Sequence, residues 1–109
     1  MRFGFAWTTQ EASTVDYTPF ADFLINSSGG TVKSRKTAPG QYHVVFAGLG
    51  RPAGGSETVL VSPFLAVLDR MCDILSWGNT GASDLFVDVA CFDLSGVPID
   101  SRFGVMVIQ

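Results

Sequence analysis

An all-β fold, an antiparallel β-sandwich or jelly roll of about seven or eight strands, is what this sequence predicts. Three observations point to it. Apolar residues alternate with polar ones along most of the 109-residue chain, which is the period of a half-buried strand. Clusters of Gly, Pro, Asn and Ser interrupt the alternation at short intervals, where turns are needed. Neither a repeat of fixed period nor a low-complexity linker divides the chain, so residues 1–109 are expected to form one domain.

Taken in order, RFGFAWT places Phe3, Phe5 and Trp7 on one face of a first strand. Core packing is the expected fate of Phe3 and Phe5, as of Phe46, Phe86 and Phe103. Tyr17 and Phe20 flank Pro19 in a loop, FADFLIN leads to the turn SSGG, and TVKSRK is the next strand. Its cations, Lys33 and Arg35 on one side and Lys36 on the other, read as a solvated edge of the kind that resists aggregation. APG opens QYHVVFAGLG, where Tyr42, Val44 and Phe46 share a face opposite His43 and Val45. RPAGGS is a loop whose glycines permit positive φ. ETVLVSPF resumes a strand, and Pro63 confines its end to a sheet edge or a bulge.

The segment PFLAVLDRMCDILSW admits two readings. One is a helix begun by Pro63, with Phe64, Leu68, Met71 and Leu75 on a stripe. The other is the end of a strand, a turn near Asp69 and Arg70, and a second strand MCDILSW; the strands on either side favour it. GNTGAS then makes a hairpin turn, and DLFVDVACFDLSGVPIDSRFGVMVIQ supplies two strands joined by a turn. The last strand is apolar on both faces, Phe103, Val105 and Val107 against Met106 and Ile108. Its outer face therefore needs a cover, expected to be another copy of the chain or another domain.

Composition agrees with that expectation. Apolar residues make up 47% of the chain and charged residues only 16%, where a soluble domain carries roughly 25% charge. The surface so implied suits a homo-oligomer or contact with neighbouring β domains. Ten acidic residues against seven basic ones give a net charge of −3, without the basic field that a nucleic-acid binder presents. No apolar run approaches the roughly 18 residues of a membrane span, so no membrane insertion is expected. The apolar patch in MRFGFAWTTQEAST is shorter than a secretion signal requires. That leaves a cytosolic chain, a mature fragment with an added Met1, or a virion protein assembled without export.

Cys72 and Cys91 flank the GNTGAS turn. Opposed residues of an antiparallel hairpin have position numbers with a constant sum, and pairing the two cysteines also opposes Ile74 to Val89 and Ser76 to Val87. On the other face it sets Trp77 against Phe86, an aromatic pair that would stabilise the sheet. Directly opposed cysteines can reach disulfide distance; the alternative is a pair of buried free thiols in a reducing compartment.

Catalytic and metal chemistry find little footing, and no cofactor is implied. His43 is the only histidine and no G-x-S-x-G nucleophile elbow occurs, so His43 reads as a surface or half-buried sheet residue and the protein as a non-enzyme. Zinc would need paired ligand spacings that two cysteines and one histidine do not provide. Asp84 and Asp88 share a face, as a glycosidase acid–base pair would, yet with Asp93 they read as solvated outward positions. Asp93, Ser95 and Asp100 surround a glycine without the EF-hand spacing; a turn capped by Asp93, with Gly96 at positive φ, is the expectation. For a ligand, flat aromatic faces remain: Trp7, Tyr17 and Phe20 are candidates for stacking on a glycan.

The string FLINSSGG … GQYHVVFAGLG … CDILSWGNTG … LFVDVACFDLSGVPIDSRFGVMV resembles a repeat of about a hundred residues found in exported bacterial proteins. That repeat has an amino-terminal Trp strand, a G-x-Y-x-V-x-F-x-G-L-G strand, paired cysteines matched here by Cys72 and Cys91, and a closing V-x-V-x-C-F-D-x-x-G-x-P-x-D-S-R-F signature. The resemblance implies a β-sandwich and an exported setting, and no activity. G-x-Y-x-V-x-F followed by V-x-V-x-x-x-D-x-x-G-x-P also resembles the trimerising β-sandwich heads of collagen-like and phage fibre proteins. Together these lead to the expectation of a structural or adhesive β-sandwich module, extracellular or virion-associated, with a carbohydrate-binding module as the alternative.

Overall fold

The computed structural model describes residues 1–51, 57–64, 69–81 and 83–109. Most of the loop expected over RPAGGS, residues 52–56, lies outside them, as do residues 65–68 and 82. Eight strands are formed among the described residues: β1 Phe3–Trp7, β2 Leu24–Asn26, β3 Val32–Ala38, β4 Gln41–Phe46, β5 Thr58–Pro63, β6 Arg70–Thr80, β7 Asp84–Asp93 and β8 Phe103–Ile108. A single 3-10 turn, Ala21–Phe23, precedes β2. The strands build two four-stranded antiparallel sheets, β2-β1-β8-β5 and β3-β4-β7-β6, packed as a sandwich.

The ambiguous segment is strand through Pro63, turn at Asp69 and strand again from Arg70, as the strand–turn–strand reading has it where it is described. Pro63 closes an edge strand, where its missing N–H removes no ladder bond. The cation-bearing β3 is likewise an edge.

Alternation fills the core from both sheets. Tyr42, Val44 and Phe46 of β4, Leu85, Val87, Val89 and Cys91 of β7, and Phe103, Val105 and Val107 of β8 are all buried. Phe3, Phe5 and Phe86 do not join them: Phe3 is exposed and the other two are half-buried on outer faces. Gly4 and Ala6 are the inward residues of β1, and Thr8, just past its end, is buried as well. The large rings come from opposite strands, and a Cβ on Gly4 would stand 2.6 Å from the Phe46 ring. A period of two says which residues share a face but not which face is inside, and a shift of one residue inverts the answer.

The hairpin β6–β7 carries the Cys72–Cys91 disulfide, with the two residues directly opposed. Ile74 opposes Val89 as expected, but beyond it the register shifts by one. Ser76 then stands against Asp88, Trp77 against Val87, and Gly78 against Phe86. The expected Trp77–Phe86 pair does not form, because Leu75 is an extra residue, a β-bulge, on β6. Trp77 instead lies 45% exposed on the edge strand.

One end of the sandwich is tied by residues of the closing D-S-R-F stretch. Asp100 accepts from Lys36 Nζ at 2.6 Å and from Gly40 N at 2.9 Å, while its carbonyl accepts from Arg70. Burial would raise the Asp100 pKa, but these hydrogen bonds and the Lys36 and Arg70 charges hold it below the ordinary aspartate value. Ser101 N donates to the buried Tyr42 hydroxyl, which donates to Glu11 O. Burial pushes the Tyr42 phenol up to about 12. Arg102 pairs with Glu11 at 2.7 Å; against the upward push of burial, that pairing lowers the Glu11 carboxyl. Asp93 caps its own turn, accepting from Ser95 N and Val97 N, with Gly96 at φ +83°.

Candidate functional site: two outer faces of opposite character

The sandwich presents two outer faces, and the register places like with like on each. Across β2-β1-β8-β5, one row runs Ile25–Phe5–Met106–Leu60 through all four strands. A second row brings Phe3 beside Ile108. In a third, Trp7 stands opposite Gly104, and a Cβ on Gly104 would meet the indole at 2.9 Å. The absent side chain thus lets the indole settle over the β8 backbone. Phe23 stacks on Trp7 from the β2 side at 4.5 Å and Phe64 from the β5 side at 4.8 Å.

No charged side chain occurs in these rows. Leu60 is 55% exposed, Ile25 50%, Met106 37% and Phe3 36%. Shallow hollows of about 380 and 290 Å³ lie between the side chains, the first bounded by Phe3, Ile25, Met106 and Ile108, the second by Trp7, Leu60 and Phe64. With about 150–250 Å² for a large apolar side chain, the exposed portions of these four amount to roughly 270–450 Å² of apolar surface. Most soluble monomers have a largest patch of roughly 300–600 Å². One partner in a stable protein interface covers ~800 Å².

The second sheet carries a polar row, with exposed apolar residues confined to its edge strand β6. Its corresponding row is Arg35–His43–Asp88–Ser76, again through all four strands. His43 Nδ1 and Asp88 Oδ1 are 2.7 Å apart, Ser76 Oγ donates to Asp88 Oδ2 at 3.2 Å, and the imidazole stacks on Phe86 at 5.6 Å. Asp84 accepts from Gly48 N. Asp84 and Asp88 are therefore hydrogen-bonded and half-buried, where solvated outward positions were expected, while Asp93 caps its turn as expected. The serine hydroxyl sits on the carboxylate and not on the imidazole, so this is no nucleophile–base pair.

Of the three aromatics expected to stack on a ligand, Trp7 and Phe20 share Phe23 as a neighbour. Trp7 is flanked on both sides by phenyl rings, and half-exposed Phe20 tilts against Phe23 at 5.7 Å. Tyr17 is bridged to Ser34, its hydroxyl accepting from Thr9 N and Gln10 N. No helix among the described residues is long and apolar enough to cross a membrane. Comparison with known protein families, curated proteins and solved structures finds no match in any of the three.

Proposed function

We propose that this chain is a non-enzymatic structural module that assembles with copies of itself through the apolar outer face of the β2-β1-β8-β5 sheet, in an exported or virion-associated setting. The observation that carries the reading is the Ile25–Phe5–Met106–Leu60 row: four strands present apolar side chains outward where water would otherwise lie. Burying such surface contributes about 25 cal/mol per Å² before the costs of association are subtracted. A second copy suits the face better than a charged partner, because an uncharged patch gives opposite charge nothing to meet. Sheets pack face to face at about 10 Å with their strands aligned or crossed, so two such faces can join as a symmetric pair.

The disulfide supports an oxidising compartment, as does the resemblance to repeats of exported bacterial proteins. Carbohydrate binding through Trp7, Tyr17 and Phe20 has less behind it, since both sides of Trp7 are occupied. A glycan array read with Tyr17→Ala and Trp7→Ala variants tests it.

Self-assembly is tested by placing one charge on each face in turn. Met106→Glu is expected to yield a folded monomer in sedimentation velocity, while Gln41→Glu on the opposite face leaves the wild-type distribution intact. Equal sedimentation of wild type and Met106→Glu would remove the apolar face from the account. Association lost only when a flanking domain is deleted would assign the face to that domain.

A further inference from the structure

Both register breaks in the second sheet line one groove. Thr37 is the extra residue where β3 slips against β4, and Leu75 is the extra residue where β6 slips against β7. These are the two edge strands, on opposite sides of the central β4–β7 pair. The hollow between them, about 300 Å³, is lined by Thr37, Gln41, His43, Leu75, Ser76 and Asp88. Bulges re-aim side chains and recur beside binding sites. Here one bulge on each flank turns a side chain toward the same polar pair.

From this geometry we propose that the groove over His43 and Asp88 binds a neutral sugar ring. The groups fit the alternating donors and acceptors of vicinal hydroxyls. A carboxylate oxygen can only accept, so in the 2.7 Å contact His43 Nδ1 donates to Asp88, and Nε2 is the second polar atom of the imidazole that lines the groove. Each Asp88 oxygen holds one described partner, His43 on Oδ1 and Ser76 on Oδ2, and each retains a second lone pair for a ligand hydroxyl. Gln41 is exposed and offers both an amide donor and a carbonyl acceptor, and Thr37 offers a hydroxyl. Leu75, 54% exposed, provides an apolar wall for the C–H face of a ring. Phe86, stacked under His43, fixes the imidazole plane.

Charge selects against other ligands. Asp88 repels an anion, Asp73 on the same face adds to that repulsion, and Arg35 is drawn to Asp16 at 3.3 Å. One imidazole and one engaged carboxylate are too few ligands to hold a metal ion. The volume lies at the lower end of small-molecule sites, the scale of one monosaccharide. Among the described lining residues the only phenyl-type ring is that of the buried Tyr42, so millimolar affinity is expected.

The test is a ¹H–¹⁵N correlation titration of the wild-type protein with a panel of neutral monosaccharides and their methyl glycosides, raised to tens of millimolar. Glucuronate and glucosamine serve as charged controls. The expected result is a saturable shift of the Gln41 side-chain amide and the His43 ring signals with at least one neutral sugar, weakened about tenfold by Asp88→Asn. Gln41→Ala, which removes an exposed side chain with no folding role, is expected to weaken binding while leaving all distant resonances in place. Silence across the panel would overturn the proposal. So would shifts indifferent to both substitutions, or shifts produced by glucosamine or glucuronate alone.

Discussion

Replacing Cys72 and Cys91 together by alanine removes the bridge without leaving an unpaired thiol. The two residues are 19 positions apart, and closing a loop of about 20 residues restricts the unfolded chain by roughly 3 kcal/mol in the chain-entropy account. That stabilisation acts mainly on the unfolded state, so the hydrogen bonds already zipping β6 to β7 do not substitute for it. Unfolding entropy of about 2.1 cal/mol/K per residue converts the loss into a drop in Tm of roughly 10–20 °C. The bridge also pins a register: it holds the pairing below Leu75 one residue out of step with the pairing above it. Urea unfolding followed by Trp fluorescence gives the free energy, and a calorimetric melt gives Tm. A double variant within about 1 kcal/mol of wild type would refute the reasoning, as would two alkylatable thiols in the native, unreduced protein.

Gly4→Ala puts a methyl 2.6 Å from the Phe46 ring and should cost about 1–3 kcal/mol in urea unfolding. Tyr42→Phe leaves the buried Ser101 N–H and the Glu11 carbonyl without their partner, a loss of about 1–2 kcal/mol. It should also abolish the tyrosine that ionises only near 12 in an absorbance titration. Asp100→Asn breaks the tie among Lys36, Gly40 and Arg70. The folded-state pKa of Asp100 lies below its unfolded value near 3.8, so its contribution is full above that value and fades as pH falls through the lowered one. The variant should therefore be less stable at neutral pH and lose less stability than wild type on acidification below about pH 4.

What the sequence made legible was mostly local. The β6–β7 hairpin is closed by a short turn, so the sum rule found the Cys72–Cys91 pair from the sequence alone. The same rule failed past Leu75, since a bulge adds a residue without any marker in composition. Pairings between strands distant in sequence were hidden. Nothing around His43 indicates that β4 lies beside β7, so the His43–Asp88 pair could be found only once the sheet was assembled. Asp100 looked like a turn residue or a calcium ligand, and its role as a tie became visible only with Lys36 and Arg70 beside it. The inversion of β1 is the instructive case. Phe3, Phe5 and Trp7 were seen to share a face, and residue type sent Phe3 and Phe5 inward, where the structure does not place them. The glycine at position 4, under Phe46, is the sequence mark that the small side of the strand is the buried one. The final strand was read more securely: apolar residues on both faces meant that one set had to be outside, and Met106 is there.

The central claim is that this apolar face is covered by another copy of the chain. Light-scattering molar mass, measured across a wide range of protein concentration, tests it most directly. The account predicts a mass of at least twice the 11.6 kDa of one chain, falling toward one chain on dilution. A well-folded protein holding 11.6 kDa at every concentration would contradict it.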